Sequence, residues 1–323
     1  MKTRLTELLH IETPIVQAGM VHVSFPSLVA GASNAGALGI LGAGAMSPPE
    51  LKDNIRQVQA LTDRPFAVNV IPDNTLLGEL LDVIIEEKVP VASFGVGNPQ
   101  RIIRRTHPAG IVNIPTVGSL KHAIRAEEGG ADAVIIQGTE AGGHSSYVST
   151  MVLLPLVAER LKIPVVAAGG ICDGRGLMAA LALGAEGIAM GSRFAVTRES
   201  PVPDNIKDMI LQATEEDTVI TRNFTGVRCR VLRNELAEKL MKLAEKQAPS
   251  REFFMLGLGK FKKAFRGGDG VSGSVALGQV CGRINDVPTC RELVDRVIAG
   301  AEELMAPLQQ KINGQMKPVE LKG

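Results

Sequence analysis

The chain has 323 residues, of which 45% are hydrophobic and 3% aromatic, with 35 lysines and arginines against 34 aspartates and glutamates. This length accommodates two ordinary domains or one large α/β barrel, and the near-neutral balance removes the overall charge that would attract nucleic acid or an anionic membrane surface. With no tryptophan and a single tyrosine, Tyr147, a stacking platform for bases or sugars is not expected.

The cysteines at positions 172, 229, 281 and 290 fit neither a paired-thiol metal pattern nor a dense disulfide framework, so a reducing, cytoplasmic setting is expected. Residues 1–10 mix charges with short apolar steps, and no stretch approaches the ~20 apolar residues that span a bilayer. Neither export nor membrane insertion is expected.

From the N-terminus, short aliphatic runs read as strands at 15–18, 38–41, 66–70, 91–94, 110–114, 133–137, 165–168 and 187–190. Amphipathic segments at 26–35, 48–61, 76–87, 99–106, 119–128, 151–161 and 174–183 read as the helices between them, with starts marked by Ser47 before Pro48-Pro49, by Asn98 before Pro99, and by Ser119. Continuous apolar strands separated by helices belong to a parallel sheet covered on its outer face, and eight such units predict a (β/α)8 TIM barrel. The alternative is an open dinucleotide-binding sheet. Its glycine fingerprint fails at Ser47 in the cluster after the second strand, and at Gln100 after the fourth.

After the eighth strand the periodicity becomes helical. Residues 197–266 read as a smaller helical insertion, a cap over the C-terminal barrel mouth, following a barrel at 1–196. Residues 267–282 carry six glycines in sixteen positions and read as a return toward the site; 289–310 form a closing helix, and 311–323 read as a frayed tail, so 267–323 is a return segment packing on the barrel. The basic cluster from Lys260 to Arg266 reads first as a solvated helix face and second as a contact for phosphate or an acidic partner.

A barrel of this kind carries its chemistry at the C-terminal strand ends. The first strand ends in Ala18-Gly19-Met20, the third contains Asn69, the sixth ends in Gln137-Gly138, the seventh in Gly169-Gly170, and the eighth leads into Gly191-Ser192. Glycines at these exits admit close approach by a ligand, and Asn69 and Gln137 can hydrogen-bond a heteroaromatic ring without adding charge. The two adjacent exits at Gly169-Gly170 and Gly191-Ser192 suit a phosphate held by backbone N–H groups. Together these features suit flavin mononucleotide, FMN. Past the sixth strand, Gly142-Gly143 delivers one imidazole, His144, the leading catalytic candidate. Glu140 and His144 have the spacing of a helical metal pair, but the glycines between them oppose a helix and no third ligand is evident, so no metal site is expected.

The segments Pro14-Ile-Val-Gln-Ala-Gly-Met, Phe66-Ala-Val-Asn-Val, Glu140-Ala-Gly-Gly-His, Ala167-Ala-Gly-Gly-Ile and Met190-Gly-Ser-Arg-Phe resemble the nitronate monooxygenase family of flavin-dependent barrels. Within it, Gly95-Val-Gly-Asn-Pro and the return segment through Gly278-Gln279 resemble the flavin-dependent enoyl-acyl-carrier-protein reductase branch of fatty acid biosynthesis. Gln137 and Ser145-Ser146 depart from that branch. The resemblance implies FMN held by Ala18, Gly19, Met20, Asn69, Gln137, Gly138, Gly169, Gly170, Gly191 and Ser192. It implies that His144 faces the substrate; His22, Ser145 and Gln279 are added as pocket-lining residues.

Two chemistries then compete for one site. In the first, NADH or NADPH reduces the flavin, which reduces the C=C bond of a 2-enoyl thioester carried by acyl-carrier protein or coenzyme A. In the second, a small alkyl nitronate is oxidised with oxygen. A flavin-binding protein without catalysis would need the same exits but no reactive acid or base, and His144 separates it from both. Oligomeric state is left open, a homodimer being allowed.

Overall fold

The computed structural model describes residues 1–95, 97–222 and 226–313. The expected tail from residue 314 onward, and Val96 of the fourth strand's exit, lie outside the described residues. Eight parallel strands close into a barrel: β1 (Ile15–Gln17), β2 (Leu38–Gly42), β3 (Phe66–Val70), β4 (Val91–Gly95), β5 (Val112–Val117), β6 (Val134–Gln137), β8 (Val165–Ala168) and β9 (Gly187–Met190). Closure is made by β1 on β9, with Ile15 opposite Ile188 and Gln17 opposite Met190. The TIM barrel read from the aliphatic runs is therefore the fold.

Alternation along the strands divides the apolar residues into two sets. Val16, Ile40, Ala67, Ile114, Ile135 and Val166 meet inside the barrel, with Leu5 and Leu9 of the helix Arg4–Leu9 packed against them. The alternate residues, among them Ile15, Leu41, Val68, Phe94, Ile136 and Ile188, meet the surrounding helices. Each buried aliphatic side chain of these layers stabilises the fold by roughly 1.5–3 kcal/mol relative to exposure.

Local signals set the helix starts. Ser47 and Glu50 form a reciprocal capping box on Pro48–Leu61, and Ser119 accepts from the His122 amide at 3.3 Å on Leu120–Glu128. The fourth interstrand helix starts later than the expected 99, at Gln100–Thr106, although Asn98 still accepts from the Gln100 amide at 3.0 Å. Strand five also starts later than 110: Gly110 has φ 73 and ends a short turn of 3-10 helix at His107–Ala109, so extended structure begins only at Val112.

The eighth barrel helix does not follow β9 directly. It is Cys290–Ile312, begun by a capping box between Thr289 and Glu292 and packed against Gly174–Ala182 and Pro26–Asn34. Its backbone crosses Gly174 so closely that a Cβ there would lie 2.4 Å from the Gly300 carbonyl carbon. Between β9 and this helix the chain builds the cap.

The cap corrects the reading of 197–266 as purely helical. Besides Asp204–Gln212, Glu235–Glu245, Ser250–Gly257 and Lys260–Phe265, it contains two antiparallel strands, β10 (Thr218–Arg222) and β11 (Arg228–Leu232). A two-residue strand from the barrel's sixth exit, β7 (Gly143–His144), joins them on the far side of β11. Polar residues alternating with Val219, Cys229 and Val231 hide the strand period, because three of the alternate positions are arginines. Among the described residues no helix is long and apolar enough to cross a membrane.

Candidate active site

The strands are buried along most of their length and become half-exposed at their C-terminal ends. Ala18, Gly19, Met20, Asn69, Gly95, Gln137, Ala168 and Gly191 mark this change around one open bowl, and Gly170 is exposed. The side chains reaching it are small or neutral. Gly19 is required by packing, since a Cβ would stand 2.6 Å from the Asn69 Cβ.

Asn69 donates from its amide to Ser93 Oγ at 3.2 Å, and Gln137 donates to the His144 carbonyl at 2.5 Å. Among the described residues no protein donor meets the side-chain oxygen of either, so both remain acceptors for a ligand. At the neighbouring exits, the backbone N–H groups of Gly169, Gly170, Gly191 and Ser192 meet no acceptor among the described residues. Gly169 and Gly170 have φ 105 and 75, in the left-handed region that favours glycine. Four free amides at two adjacent exits fit a phosphate, and the small, neutral bowl beside them fits a flat polar ring. The residues present therefore fit FMN.

Gly138 is packed too tightly for any side chain: a Cβ would stand 2.1 Å from Thr150 Oγ1 and 2.3 Å from Glu140 Oε2. Glu140 accepts from the Thr150 amide and hydroxyl at 3.0 Å, which ties the loop to the start of Thr150–Ala158. Ser192 Oγ is already engaged, accepting from the Gly278 amide at 3.0 Å, and the Gln279 amide donates to the Glu140 carbonyl at 2.9 Å. The glycine-rich return thus runs back to the site, with the backbone of Gln279 fixed to the loop that bears His144.

His144 lies in β7, opposite Cys229 of β11. Burial lowers its imidazole pKa below the ordinary 6.5, so the ring is neutral at pH 7. Cys229 beneath is buried, and its thiol is pushed up to about 12 by the same cause. The ladder sends the neighbouring residues to the opposite face: Ser145, whose amide donates to the Arg228 carbonyl at 3.3 Å, and Arg228 and Arg230. Arg230 is buried and donates to the Thr139 carbonyl at 2.9 Å and to Thr218 Oγ1 at 3.0 Å, while Arg228 stacks on Tyr147 at 4.5 Å. The sequence reading missed both arginines; their alternation around Cys229 was the available signal.

His22 lies after Met20, half-buried, with φ 66. Its pKa is lowered by burial first and then by the charges of Lys262 and Arg266, and Arg266, 4.5 Å over the Phe25 ring, places the basic cap helix on this side of the mouth. No group of acidic, histidine and cysteine residues among the described residues could hold a metal ion.

Residues 2–80 and 74–300 match the family model for nitronate monooxygenase. A (3aS,4S,5R,7aS)-5-hydroxy-7a-methyl-1-oxo-octahydro-1H-indene-4-carboxyl-CoA dehydrogenase from Rhodococcus jostii is 40% identical, over 93% of this chain and 96% of its own. The solved structure of FabK from Thermotoga maritima superposes with a TM-score of 0.93 at 41% identity, covering 96% of this chain and 99% of that one. A nitroalkane oxidase from Streptomyces ansochromogenes gives a TM-score of 0.82 at 32% identity, over 94% and 99% of the two chains.

Proposed function

The chain belongs to the nitronate monooxygenase family and is an oxidoreductase, and from that premise we propose that it uses FMN and NADH or NADPH to reduce the C=C bond of a 2-enoyl thioester. The observation that carries this reading is the superposition on FabK along almost the whole of both chains. The relative named as a carboxyl-CoA dehydrogenase, similar over 93% of this chain, supports a thioester as the substrate class.

The flavin, when bound, supplies a hydride that originates in the nicotinamide. Asn69 and Gln137 would hold its ring by their free amide oxygens, Ala18, Gly19 and Met20 would lie beside it, and the amides of Gly169, Gly170, Gly191 and Ser192 would hold its phosphate. His144, whose pKa burial lowers, would donate an N–H hydrogen bond to the thioester oxygen, where negative charge develops as the β-carbon is reduced. Its backbone is held from three sides: by Gln137 at its carbonyl, by β11 along its strand, and through Glu140 by the return segment. His22 and Gln279 are proposed to line the substrate's path, and Ser145, on the opposite face of the ladder from His144, to flank it beside Arg228. The described cysteines are all unpaired thiols, which supports a reducing, cytoplasmic setting.

A second reading, oxidation of an alkyl nitronate with oxygen, is supported by the matched family description and by the superposed nitroalkane oxidase. There His144 acts as a base or orients the nitro group. The two readings separate in one experiment: NAD(P)H oxidation with crotonyl thioesters under nitrogen, run beside oxygen uptake with propyl nitronate. Reduction of the thioester is the expected result; oxygen uptake with nitronate and no thioester turnover would overturn it.

A further inference from the structure

The cap helix Lys260–Phe265 buries Ala264 and Phe265 in the barrel's outer apolar layer and leaves Lys262, Lys263 and Arg266 exposed at its edge. The three cations have different surroundings. Lys263 is paired with Asp269 at 2.7 Å and also meets the Ser272 hydroxyl, so its charge is spent within the protein. Lys262 and Arg266 make no ion pair among the described residues.

Arg266 lies 4.5 Å over the ring of Phe25, the residue that precedes the helix Pro26–Asn34 and ends the loop carrying Ala18, Gly19, Met20 and His22. Stacking fixes the guanidinium plane and leaves its N–H edge free for a planar, bidentate acceptor. His22 is within electrostatic reach of both Lys262 and Arg266. It also holds a left-handed backbone at φ 66, a conformation that costs a β-carbon residue energy and that recurs where a side chain must be aimed. Two cap cations with no ion pair among the described residues thus lie on the side of the mouth formed by the first barrel loop, where Arg266 stacks on Phe25 and His22 feels both charges.

We infer that Lys262, Arg266 and His22 form the docking point for the phosphates of a coenzyme A thioester, whose pantetheine arm then enters the bowl toward His144. This rests on the thioester reading above. A coenzyme carries its 3′-phosphate and pyrophosphate close together and matches a compact cationic spot. The acidic surface of a carrier protein needs an extended basic band, and here carboxylates interrupt it on two sides: Asp269 on Lys263, and Glu50, which feels the Lys262 charge. Charge-assisted hydrogen bonds to phosphate from Arg and Lys supply the affinity.

The test uses the flavin-loaded enzyme and the double variant Lys262→Ala/Arg266→Gln. Calorimetric titration with adenosine 3′,5′-bisphosphate should give binding to the parent protein that weakens about tenfold or more in the variant and with added salt. In turnover, the ratio of KM for crotonyl-CoA to KM for crotonyl-N-acetylcysteamine, which has no phosphates, should rise by about the same factor. Equal binding of the bisphosphate by the two proteins, or none by the parent, overturns the inference. So does a variant that loses turnover of crotonyl-acyl-carrier protein while its constants for crotonyl-CoA hold. If the bisphosphate binds as expected and neither thioester is reduced, the docking point stands and the thioester reading falls. Flavin absorbance of the variant reports its fold; if the double variant loses flavin, the single variant Lys262→Met decides by the same titration.

Discussion

The side-chain amide of Gln137, the last residue of β6, donates to the backbone carbonyl of His144 at 2.5 Å. A barrel strand therefore holds the imidazole-bearing residue by its main chain, through the backbone carbonyl and not through the ring. Replacing Gln137 by Leu should lower turnover by up to about 100-fold, the penalty for a displaced catalytic group, while stability falls only by about 1 kcal/mol for the lost hydrogen bond. Stopped-flow turnover set beside urea unfolding measures both. Unchanged turnover would remove Gln137 from the positioning role.

His144→Ala should retain flavin, because Asn69 and the phosphate amides lie on other exits and Gln137 holds the His144 backbone carbonyl, which alanine keeps. It should lose about 10²-fold to 10⁴-fold of turnover with either substrate class. Flavin content by absorbance and steady-state rates test the two halves separately, and a variant with full activity would exclude His144 from the chemistry.

Two glycines of the site should respond oppositely to alanine. At Gly191 a Cβ would meet its nearest neighbour, Met20 Sδ, at an ordinary 3.5 Å, so Gly191→Ala should leave the apoprotein's melting temperature within a degree or so while weakening FMN. At Gly142 a Cβ would stand 2.7 Å from the Gly278 amide and from the Leu277 carbonyl carbon. Gly142→Ala should force the return segment away and cost about 1–3 kcal/mol of stability as well as activity. Thermal melts of both apoproteins, followed by flavin titration, distinguish them; a melt that moves equally for both would contradict the packing argument.

Burial lowers the pKa of His144, and burial followed by two nearby cations lowers that of His22, each from an ordinary 6.5. Well above pH 6.5 both rings are neutral in the folded and unfolded chains. As the pH falls below that value the unfolded chain takes up the protons first, so stability is lost until the folded pKa values are passed. Chemical denaturation between about pH 7 and pH 5 should show this fall. The double variant His22→Asn/His144→Asn should flatten it, whereas an identical slope in the variant would assign the dependence to other groups.

The barrel was legible because a parallel sheet coated on its outside needs apolar residues at successive positions, and Phe66–Val70, Val165–Ala168 and Gly187–Met190 fall where their aliphatic runs do. Gly169-Gly170 and Gly191-Ser192 likewise marked the two exits whose amides meet no acceptor among the described residues. The hairpin was hidden because Arg228 and Arg230 make their contacts inward, to Thr139 and Thr218, and charged residues at alternate positions read as a solvated helix face. The pairing of His144 with Cys229, and the approach of Arg266 to Phe25, join residues far apart in the chain. Such contacts leave no local periodicity to read.

The helix Cys290–Ile312 completes the barrel's coat only after the chain has crossed the mouth twice, once as the β10–β11 hairpin and once as the return through Gly278. A nascent chain therefore closes its sheet at Met190 with one side still bare, between Gly174–Ala182 and Pro26–Asn34. The segment that covers that bare side is tethered to the one that pins Glu140 and meets Ser192. Sealing the core and fixing the reactive centre are therefore separable: a chain lacking Cys290–Ile312 would keep Gln137, β11 and Gln279 to hold the loop of His144 but would leave one side of its barrel bare.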